Sequence, residues 1–275
     1  MTKKNKSAIQ RRLIPTYIFL IIVSFISVFP LYWMIAAATN RSVDVARGKI
    51  TFGSYALENF QNLTSQTDLW GALGNSFLYA IVQTVVALFI CSLAGFGFEL
   101  YHDKGKDKVF SILLLAMMVP FAATLIPLFK MFTGLHLQST WIAYVLPTLS
   151  TPFLIMMFRQ NARAFPVDII EAARIDGANQ FQIYWKIFMP IMKPSLILVG
   201  VLNMLTVWND YLGPLIFLQD RSKYTLALGL ASFKGVHSTQ IIPMLCITII
   251  MIIPPIIIFI IAQKYIVEGT SGSIK

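Results

Sequence analysis

The chain has 275 residues, of which 57% are hydrophobic and only 12% are charged, and its mean hydropathy is +0.71. Soluble globular domains carry roughly 25% charged residues, so this composition excludes a water-soluble protein and predicts one that spans a lipid bilayer. The formal net charge of +10 does not require a nucleic-acid partner, because membrane proteins concentrate Lys and Arg in their cytoplasmic loops.

Six long apolar segments follow one another along the chain. A helical span needs about 20 apolar residues, and the segments do not alternate with the period of two that a transmembrane β-barrel requires. Because only helices satisfy the backbone over such runs in hydrocarbon, we predict an all-α integral membrane protein with six transmembrane helices. The spans are expected at about residues 13–39, 75–98, 109–132, 140–158, 194–218 and 241–263.

The first segment follows a basic head and could be mistaken for a secretory signal peptide. Its apolar run extends from Leu13 to Ala38, well beyond the 7–15 residues of a signal-peptide core, so we expect it to be retained as the first span. Residues 1–12 are then a cytoplasmic N-terminal segment, residues 13–265 form the six-helix domain, and residues 266–275 form a cytoplasmic tail.

The basic residues indicate the orientation of these spans. Fifteen of the 22 Lys and Arg residues lie in residues 1–12, 99–108 and 159–193 and in the tail from Lys264, and the other seven lie in the alternate loops. Since cytoplasmic loops carry the excess of Lys and Arg, we expect both termini in the cytoplasm. Residues 159–193 are then the longest cytoplasmic loop.

This long loop is amphipathic, with apolar residues such as Ile169, Ile170 and Ala173 recurring at helical spacing. Pro166 suits the start of a helix, and Gly177 suits its end or a close approach of backbones. The loop is too polar for lipid and too apolar for a solvated linker. We therefore expect a short helical hairpin whose apolar side contacts another protein.

Catalytic signatures are missing from the sequence, which holds no P-loop, no H-E-x-x-H, no G-x-S-x-G and no paired cysteines. Cys91 and Cys246 fall inside apolar runs and are interpreted as packing residues. His102, His136 and His237 fall in loops and are interpreted as solvated. We predict no catalytic residue, no metal site and no cofactor on this chain, which leaves transport or scaffolding.

One ionisable residue, Asp210, lies deep in a predicted span, where a charge costs several kcal/mol unless it is paired or hydrated. Asn203, Thr206 and Asp210 share one face of the predicted fifth helix. This stripe suits a translocation pathway, but it equally suits a polar contact that holds helices together. The candidate pathway residues are Asn203, Thr206, Trp208, Asn209, Asp210 and Tyr211.

The long loop carries a spaced pattern: Glu171-Ala172-Ala173, three residues, Gly177, nine residues, Ile187, any residue, Met189 and Pro190. It resembles the E-A-A, G, I-x-L-P loop of the inner-membrane subunits of ABC importers, with Met189 in place of Leu. The stretches FRQNARAFPVDIIEAARIDGA, WNDYLGP and QKYIVEGTSGSIK resemble the carbohydrate branch, especially the smaller permease of maltose-type and multiple-sugar importers. The resemblance covers nearly all of residues 70–275.

The resemblance implies a type I ABC importer transmembrane-domain fold with its loop docked on a cytoplasmic ATPase. The residues that it implies for this coupling are Glu171, Ala172, Ala173, Asp176, Gly177, Ile187 and Pro190. Glu268, Gly269 and Ser271 in the tail are implied to contact the ATPase as well. ATP and Mg²⁺ would bind on the ATPase, so the chain itself is expected to be neither an enzyme nor a cofactor protein.

The implied assembly lies in the bacterial cell membrane and contains a second permease, which forms a heterodimer with this chain. Two ATPase subunits and an extracellular sugar-binding protein complete it, and residues 219–240 resemble the loop that approaches the binding protein. Trp208 and Tyr211 are the nearest aromatic residues for stacking on a sugar ring. Nucleic acid is not an expected partner.

Three alternatives remain open from the sequence. An ABC importer permease for a solute other than a sugar would carry the same coupling loop. A membrane scaffold or receptor would use the loop to bind some other partner. A self-sufficient secondary transporter would require internal repeats and several charges within the spans, and the single Asp210 disfavours it.

Overall fold

The computed structural model describes residues 3–101, 103–233 and 240–271, with side chains described between Leu13 and Lys264. The regular structure of these residues is entirely helical, which confirms the all-α prediction. The chain forms two compact units, one made of residues 1–67 with 232–250 and the other of residues 68–231 with 251–275.

The first unit begins with helix α1, Lys3–Ala38, which starts before the predicted span and becomes apolar at Leu13. Its most hydrophobic stretch is not buried at all within the protein. A helix that is hydrophobic on every side and yet unburied matches a lipid environment. Two shorter helices follow, α2 at Ser42–Ala46 and α3 at Ala56–Gln66.

A hydrogen-bond network joins the C-terminal end of α1 to the segment that follows it. The buried Asn40 side chain donates from Nδ2 to the carbonyls of Ala36 and Thr51, each at 2.8 Å. The Gly53 N–H donates to Thr39 Oγ1 at 2.7 Å, and a Cβ at Gly53 would lie 2.5 Å from Asn40 Oδ1. Glycine is therefore required at this turn, which holds the following segment against the helix end.

The second unit is built around helix α4, Leu69–Leu100, whose start is capped by Asp68 through a bond from the Gly71 N–H at 3.0 Å. Gly95 on α4 allows another helix to approach closely, because a Cβ there would lie only 2.6 Å from the Cβ of Phe158. Glycine at position 95 thus permits this close contact between α4 and the helix that carries Phe158.

The predicted third span is divided into two helices, α5 at Lys104–Ala116 and α6 at Phe121–Gly134, with a bend of 98° between them. Pro120 lies at the break with extended backbone. Proline lacks an N–H and disfavours helical backbone at the preceding residue, which explains why one apolar segment forms two helices.

The fourth segment forms helix α7, Trp141–Val145, a 3₁₀ turn, and helix α8, Pro152–Ala162. Within the long loop lie α9 at Val167–Ile175, α10 at Gln180–Gln182, a π-helix at Ile183–Phe188 and α11 at Met189–Ile191. The chain then forms α12 at Lys193–Trp208, α13 at Leu212–Phe217, α14 at Leu226–Ser232 and α15 at Ile241–Ser271.

Four helical stretches among the described residues are long and apolar enough to cross a membrane: Leu13–Ala38, Leu69–Leu100, Trp141–Ala162 and Ile241–Lys264. Two bent pairs raise the number to six if each is one span, α5 with α6 and residues 180–191 with α12, the latter bent by 78°. The predicted fifth span, residues 194–218, is interrupted at residues 209–211, between α12 and α13. The sixth helix, α15, continues past its predicted end at residue 263.

Candidate functional site

The long loop between α8 and α12 folds as a hairpin of short helices. Pro166 precedes α9, Asp168 lies in its first turn and Arg174 in its last, the charge order that a helix dipole favours. Gly177 follows with a φ of +81°, a left-handed conformation that glycine adopts without strain. The pattern-based expectation of a turn at Gly177 thus corresponds to the observed backbone.

The second arm of the hairpin starts with a reciprocal cap. Asn179 Oδ1 accepts from the Gln182 N–H and Gln182 Oε1 accepts from the Asn179 N–H, both at 2.9 Å. This arrangement satisfies two backbone donors that a helix start leaves free. The π-helix Ile183–Phe188 continues from it and leads into α11. Pro190 lies in the first turn of α11 and is exposed.

One side of the hairpin is anchored to α4. Phe96 of α4 contacts the rings of Tyr184 and Phe188, with centroid distances of 5.3 and 4.8 Å, and the Tyr184 hydroxyl is 2.7 Å from Ser92 Oγ. The same buried cluster contains Ala173 of α9, with Ile187 packed against its edge. Of the predicted coupling residues, Ala173 and Ile187 therefore contribute to the anchor.

The opposite side of the hairpin is exposed. It presents Glu171, Ala172, Asp176 and Gly177 among the predicted coupling residues. Beside them are two large apolar side chains that the sequence pattern did not single out, Ile175 with 87% of its surface exposed and Phe181 with 70%. Large apolar side chains that are exposed close to polar ones along the chain indicate a protein-binding surface. We call this surface the docking face.

A charged cluster, also missed from the sequence, lies where α4 and α8 end and α5 begins. Arg159 donates from Nε to Glu99 Oε2 at 3.0 Å and from Nη2 to Asp107 Oδ1 at 2.8 Å. Its guanidinium also lies 4.1 Å from the ring centroid of Phe110. One planar cation therefore joins three helix ends, a role that arginine geometry suits. Its position at the edge of an apolar segment was the available signal.

The predicted pathway stripe is rearranged by the structure. Because α12 ends at Trp208, Asp210 is not on the same helix as Asn203 and Thr206, and the prediction of one continuous helical face is wrong. The three residues nevertheless line one cavity of about 410 Å³, together with Gln83 of α4 and Thr148. The three side chains meet because the helix is interrupted after Trp208. Gly213, beyond this interruption, lies close to Tyr144, since a Cβ at Gly213 would be 2.8 Å from the Tyr144 ring.

The other three pathway candidates lie elsewhere. Trp208 is buried, donates from Nε1 to the carbonyl of Met251 at 3.0 Å and packs on Phe77, so its surroundings are those of a core residue. Asn209, the residue after α12, is exposed and donates from Nδ2 to the carbonyl of Leu205 in that helix. Tyr211 is exposed and does not line the cavity.

A polar network shapes the opposite end of the second unit. Asn75 of α4 donates to the carbonyls of Ser222 and Tyr224 at 2.8 and 3.1 Å, and Lys223 Nζ donates to the Ser139 carbonyl at 2.7 Å. This network fixes the first part of the predicted outer loop, residues 219–240. Residues 234–239 of that loop lie outside the described residues.

The tail candidates Glu268, Gly269 and Ser271 belong to the last turns of α15 rather than to a separate tail. Their side chains lie outside the described part of the chain. Between residues 13 and 264, apart from the gaps in the description, no group of three or more His, Cys, Asp or Glu side chains is placed to hold a metal ion.

Comparison with known proteins places these features in a family. Residues 93–271 match the model of the binding-protein-dependent transport system inner membrane component. The lactose transport system permease protein LacG of Rhizobium radiobacter is 36% identical over 271 residues, with 98% of this chain and 99% of the relative covered. The arabinooligosaccharides transport system permease protein AraQ of Halalkalibacterium halodurans is 34% identical over 92% of this chain and 93% of its own length.

The fold has a counterpart among solved structures. A chain in the crystal structure of a bacterial ABC transporter involved in the import of the acidic polysaccharide alginate superposes with a TM-score of 0.82. The two sequences are 20% identical, and the match covers 96% of this chain and 98% of the other. The fold is thus that of a type I ABC importer permease. The chain therefore belongs to the family of binding-protein-dependent transport system inner membrane components, and it is a permease subunit of an ABC importer.

Proposed function

We propose that this chain is one of two different permease subunits in a bacterial importer for a sugar of the oligosaccharide class. Two relatives that align over more than nine-tenths of the chain are named for lactose and for arabinooligosaccharides. The W-N-D-Y stretch and the C-terminal tail resemble the same carbohydrate branch. An extracellular binding protein would deliver the sugar, and residues 219–240 would approach it.

The proposed topology has six spans, with each bent helix pair counted as one, and both termini in the cytoplasm of a bacterial cell. The distribution of Lys and Arg supports this orientation. It places the docking face and the Arg159 cluster on the cytoplasmic side of the membrane. The Asn75 and Lys223 network is then on the outer side, where the binding protein is expected.

The docking face is the observation that carries the proposed coupling. Ile175 and Phe181 are largely exposed in a segment that the proposed topology places in the cytoplasm, where lipid would not cover them. Burial of such side chains against another protein contributes about 1.5–3 kcal/mol each. A partner ATPase, present as two subunits in the assembly, would bind this face, with Glu171, Asp176 and Gly177 at its polar edge.

Energy for transport would come from the partner rather than from this chain. ATP and Mg²⁺ would bind the ATPase, and closure of the ATPase pair would move the docked hairpin. Because Tyr184 and Phe188 anchor the hairpin on α4, that movement would reach the helices around the cavity. The ATP-bound partner must bind one conformation of the permease better than the other, so that the pathway opens alternately to each side.

The experiment is reconstitution of the whole transporter in proteoliposomes, with uptake of labelled lactose or arabinotriose and ATP hydrolysis measured together. We expect Gly177→Asp to abolish ATP-driven uptake, because the new side chain lies on the docking face. Gly48→Asp is a matched control, since Gly48 also has a positive φ, +77°, and open space around its Cβ position.

A second pair of variants tests the charge on the docking face. Glu171→Ala should uncouple ATP hydrolysis from uptake, whereas Glu58→Ala removes an exposed carboxylate of α3 and should leave both rates unchanged. Full ATPase recruitment and full uptake in both Gly177→Asp and Glu171→Ala would refute the coupling assignment. Absence of ATP-dependent sugar uptake by the unmodified complex would refute the proposed function itself.

A further inference from the structure

We propose that the cavity lined by Asn203, Thr206 and Asp210 is a binding subsite for one ring of an uncharged sugar, held by this chain itself. The inference rests on the proposed function, since it requires that a sugar passes along this permease. It adds a ligand class and a set of contacts to what was so far only a polar stripe. Three properties of the lining support this subsite: an unsatisfied amide, two exposed aromatic rings and the sign of the charge.

The unsatisfied amide belongs to Gln83, whose side chain is 1% exposed and lines the cavity. Its Oε1 accepts from Thr148 Oγ1 at 2.8 Å, but its Nε2 has no hydrogen-bond partner among the described residues. A buried donor without a partner costs about 1–3 kcal/mol, and such groups are rare without a functional reason. The nitrogen itself is buried, so a ligand oxygen would remove this cost once the amide turns toward the cavity.

The neighbourhood of Gln83 offers further groups for a polyhydroxylated ligand. The Tyr144 hydroxyl lies near both Gln83 and Asp210, and within the described part of the chain it also finds no hydrogen-bond partner of good geometry. Asp210 uses Oδ1 to accept from the Gly213 N–H at 3.1 Å, which leaves carboxylate lone pairs for ligand hydroxyls. Gln83 therefore offers an amide and Asp210 a carboxylate at the same cavity, a donor and an acceptor that suit the hydroxyls of a sugar ring.

Two aromatic rings line the cavity along with this polar wall. Phe121 and Phe153 are 44% and 45% exposed and line the same cavity, so their faces are accessible to a ligand. Small-molecule sites combine apolar and aromatic surfaces with a few placed polar groups. The C–H face of a sugar ring fits against such a ring while its hydroxyls reach Gln83 and Asp210. These two residues replace Trp208 and Tyr211 as the aromatic candidates.

The charge of the cavity selects the ligand class. Asp210 is the only ionisable residue among those described that line it, and no Lys or Arg does so. A carboxylate in a partly buried site repels an anionic ligand, and nothing in the lining would neutralise an acidic sugar. The solved structure with the same fold serves an acidic polysaccharide, so this cavity predicts a different ligand charge for this chain.

The size of the cavity limits how much of the ligand it holds. Its volume of about 410 Å³ is near the lower end of the range for small-molecule pockets, about 300–1,000 Å³. A long oligosaccharide would not fit as a whole. The cavity would instead hold one ring at a time as the chain of sugars passes.

The test uses the complete transporter in proteoliposomes with labelled lactose and labelled arabinotriose. Gln83→Leu keeps the approximate size of the side chain and removes its hydrogen bonds, and we expect about tenfold slower uptake with ATPase recruitment unchanged. Phe153→Ala alters a half-exposed side chain, which protects the test against a folding defect at Gln83, and should also slow uptake. Matched controls are Gln61→Leu on α3 and Phe25→Ala on α1, both exposed and outside the cavity.

The charge of the ligand is tested by Asp210→Asn with an acidic alginate disaccharide as competitor for lactose uptake. We expect the disaccharide to inhibit the Asp210→Asn transporter more strongly than the unmodified one. Uptake at the unmodified rate in both Gln83→Leu and Phe153→Ala would overturn the subsite, even if ATP-dependent transport is intact. Equal inhibition of the two Asp210 forms would overturn the assignment to an uncharged ligand.

Discussion

Ile175 provides the sharpest test of the docking face, because it is the most exposed large hydrophobic side chain in the described part of the protein, at 87%. Ile175→Ala removes three of its four side-chain carbons. At about 0.8 kcal/mol for each buried carbon, and with nearly the whole side chain becoming buried on docking, the variant should lose about 2 kcal/mol of binding free energy. That loss corresponds to roughly 30-fold weaker binding of the ATPase.

The assay is the affinity of the purified partner ATPase for the permease pair in lipid nanodiscs, followed by biolayer interferometry. Ile261→Ala is the matched control, since Ile261 is 66% exposed on α15 but lies in a stretch long and apolar enough to cross the membrane. The reasoning fails if Ile175→Ala binds the ATPase within twofold of the unmodified protein. It also fails if Ile261→Ala weakens binding equally.

Two further variants test how the hairpin is held. Tyr184→Phe removes the hydroxyl 2.7 Å from Ser92, a bond of about 1 kcal/mol. We expect more ATP hydrolysed per sugar transported, and an unchanged ratio would contradict the proposed anchor. Arg159→Lys keeps the charge but loses the fork that bonds Glu99 and Asp107 together. It should destabilise the protein by about 2 kcal/mol, seen as a lower Tm in detergent, and an unchanged Tm would refute the role of this cluster.

The apolar segments and the turn at Gly177 were predictable because they depend on local properties. Runs of about 20 apolar residues have few structural options in a bilayer, and a motif with glycine between two amphipathic stretches indicates a turn there. The structure accordingly has helices at each predicted segment. The identity of the family also followed from spacing within a single loop.

The breaks in the helices were less predictable, since they depend on neighbours in space. Pro120 was visible in the sequence, but the same residue type occurs inside α15 as Pro254 and Pro255 without ending that helix. At the end of α12, Trp208 donates to the carbonyl of Met251 and packs against Phe77, contacts with residues far away in the sequence. A periodic count along the chain could not reveal that Asp210 leaves the helix.

Polar residues outside the motifs were the main omission at the site. Gln83 lies in the middle of an apolar segment, where a polar side chain calls for a functional explanation, so a signal was present. Its partner Thr148 is far away in the sequence, and only the fold brings the two together. Ile175 and Phe181 were visible as apolar residues, but whether they point inward or outward depends on how the two arms of the hairpin pack against α4.

The π-helix at Ile183–Phe188 has a consequence for any redesign of this loop. A π-helix has hydrogen bonds between residues i and i+5 and so holds about one residue more per turn than an α-helix. Deletion of a residue there would restore α-helical hydrogen bonding. The deletion would also rotate the preceding part of the hairpin, because each residue turns a helix by about 100° and advances it by about 1.5 Å. Ile175 and Phe181 would then face a different direction relative to α12. The nine residues between Gly177 and Ile187 therefore set a phase, and chimeras of this protein should exchange the hairpin only with that number preserved.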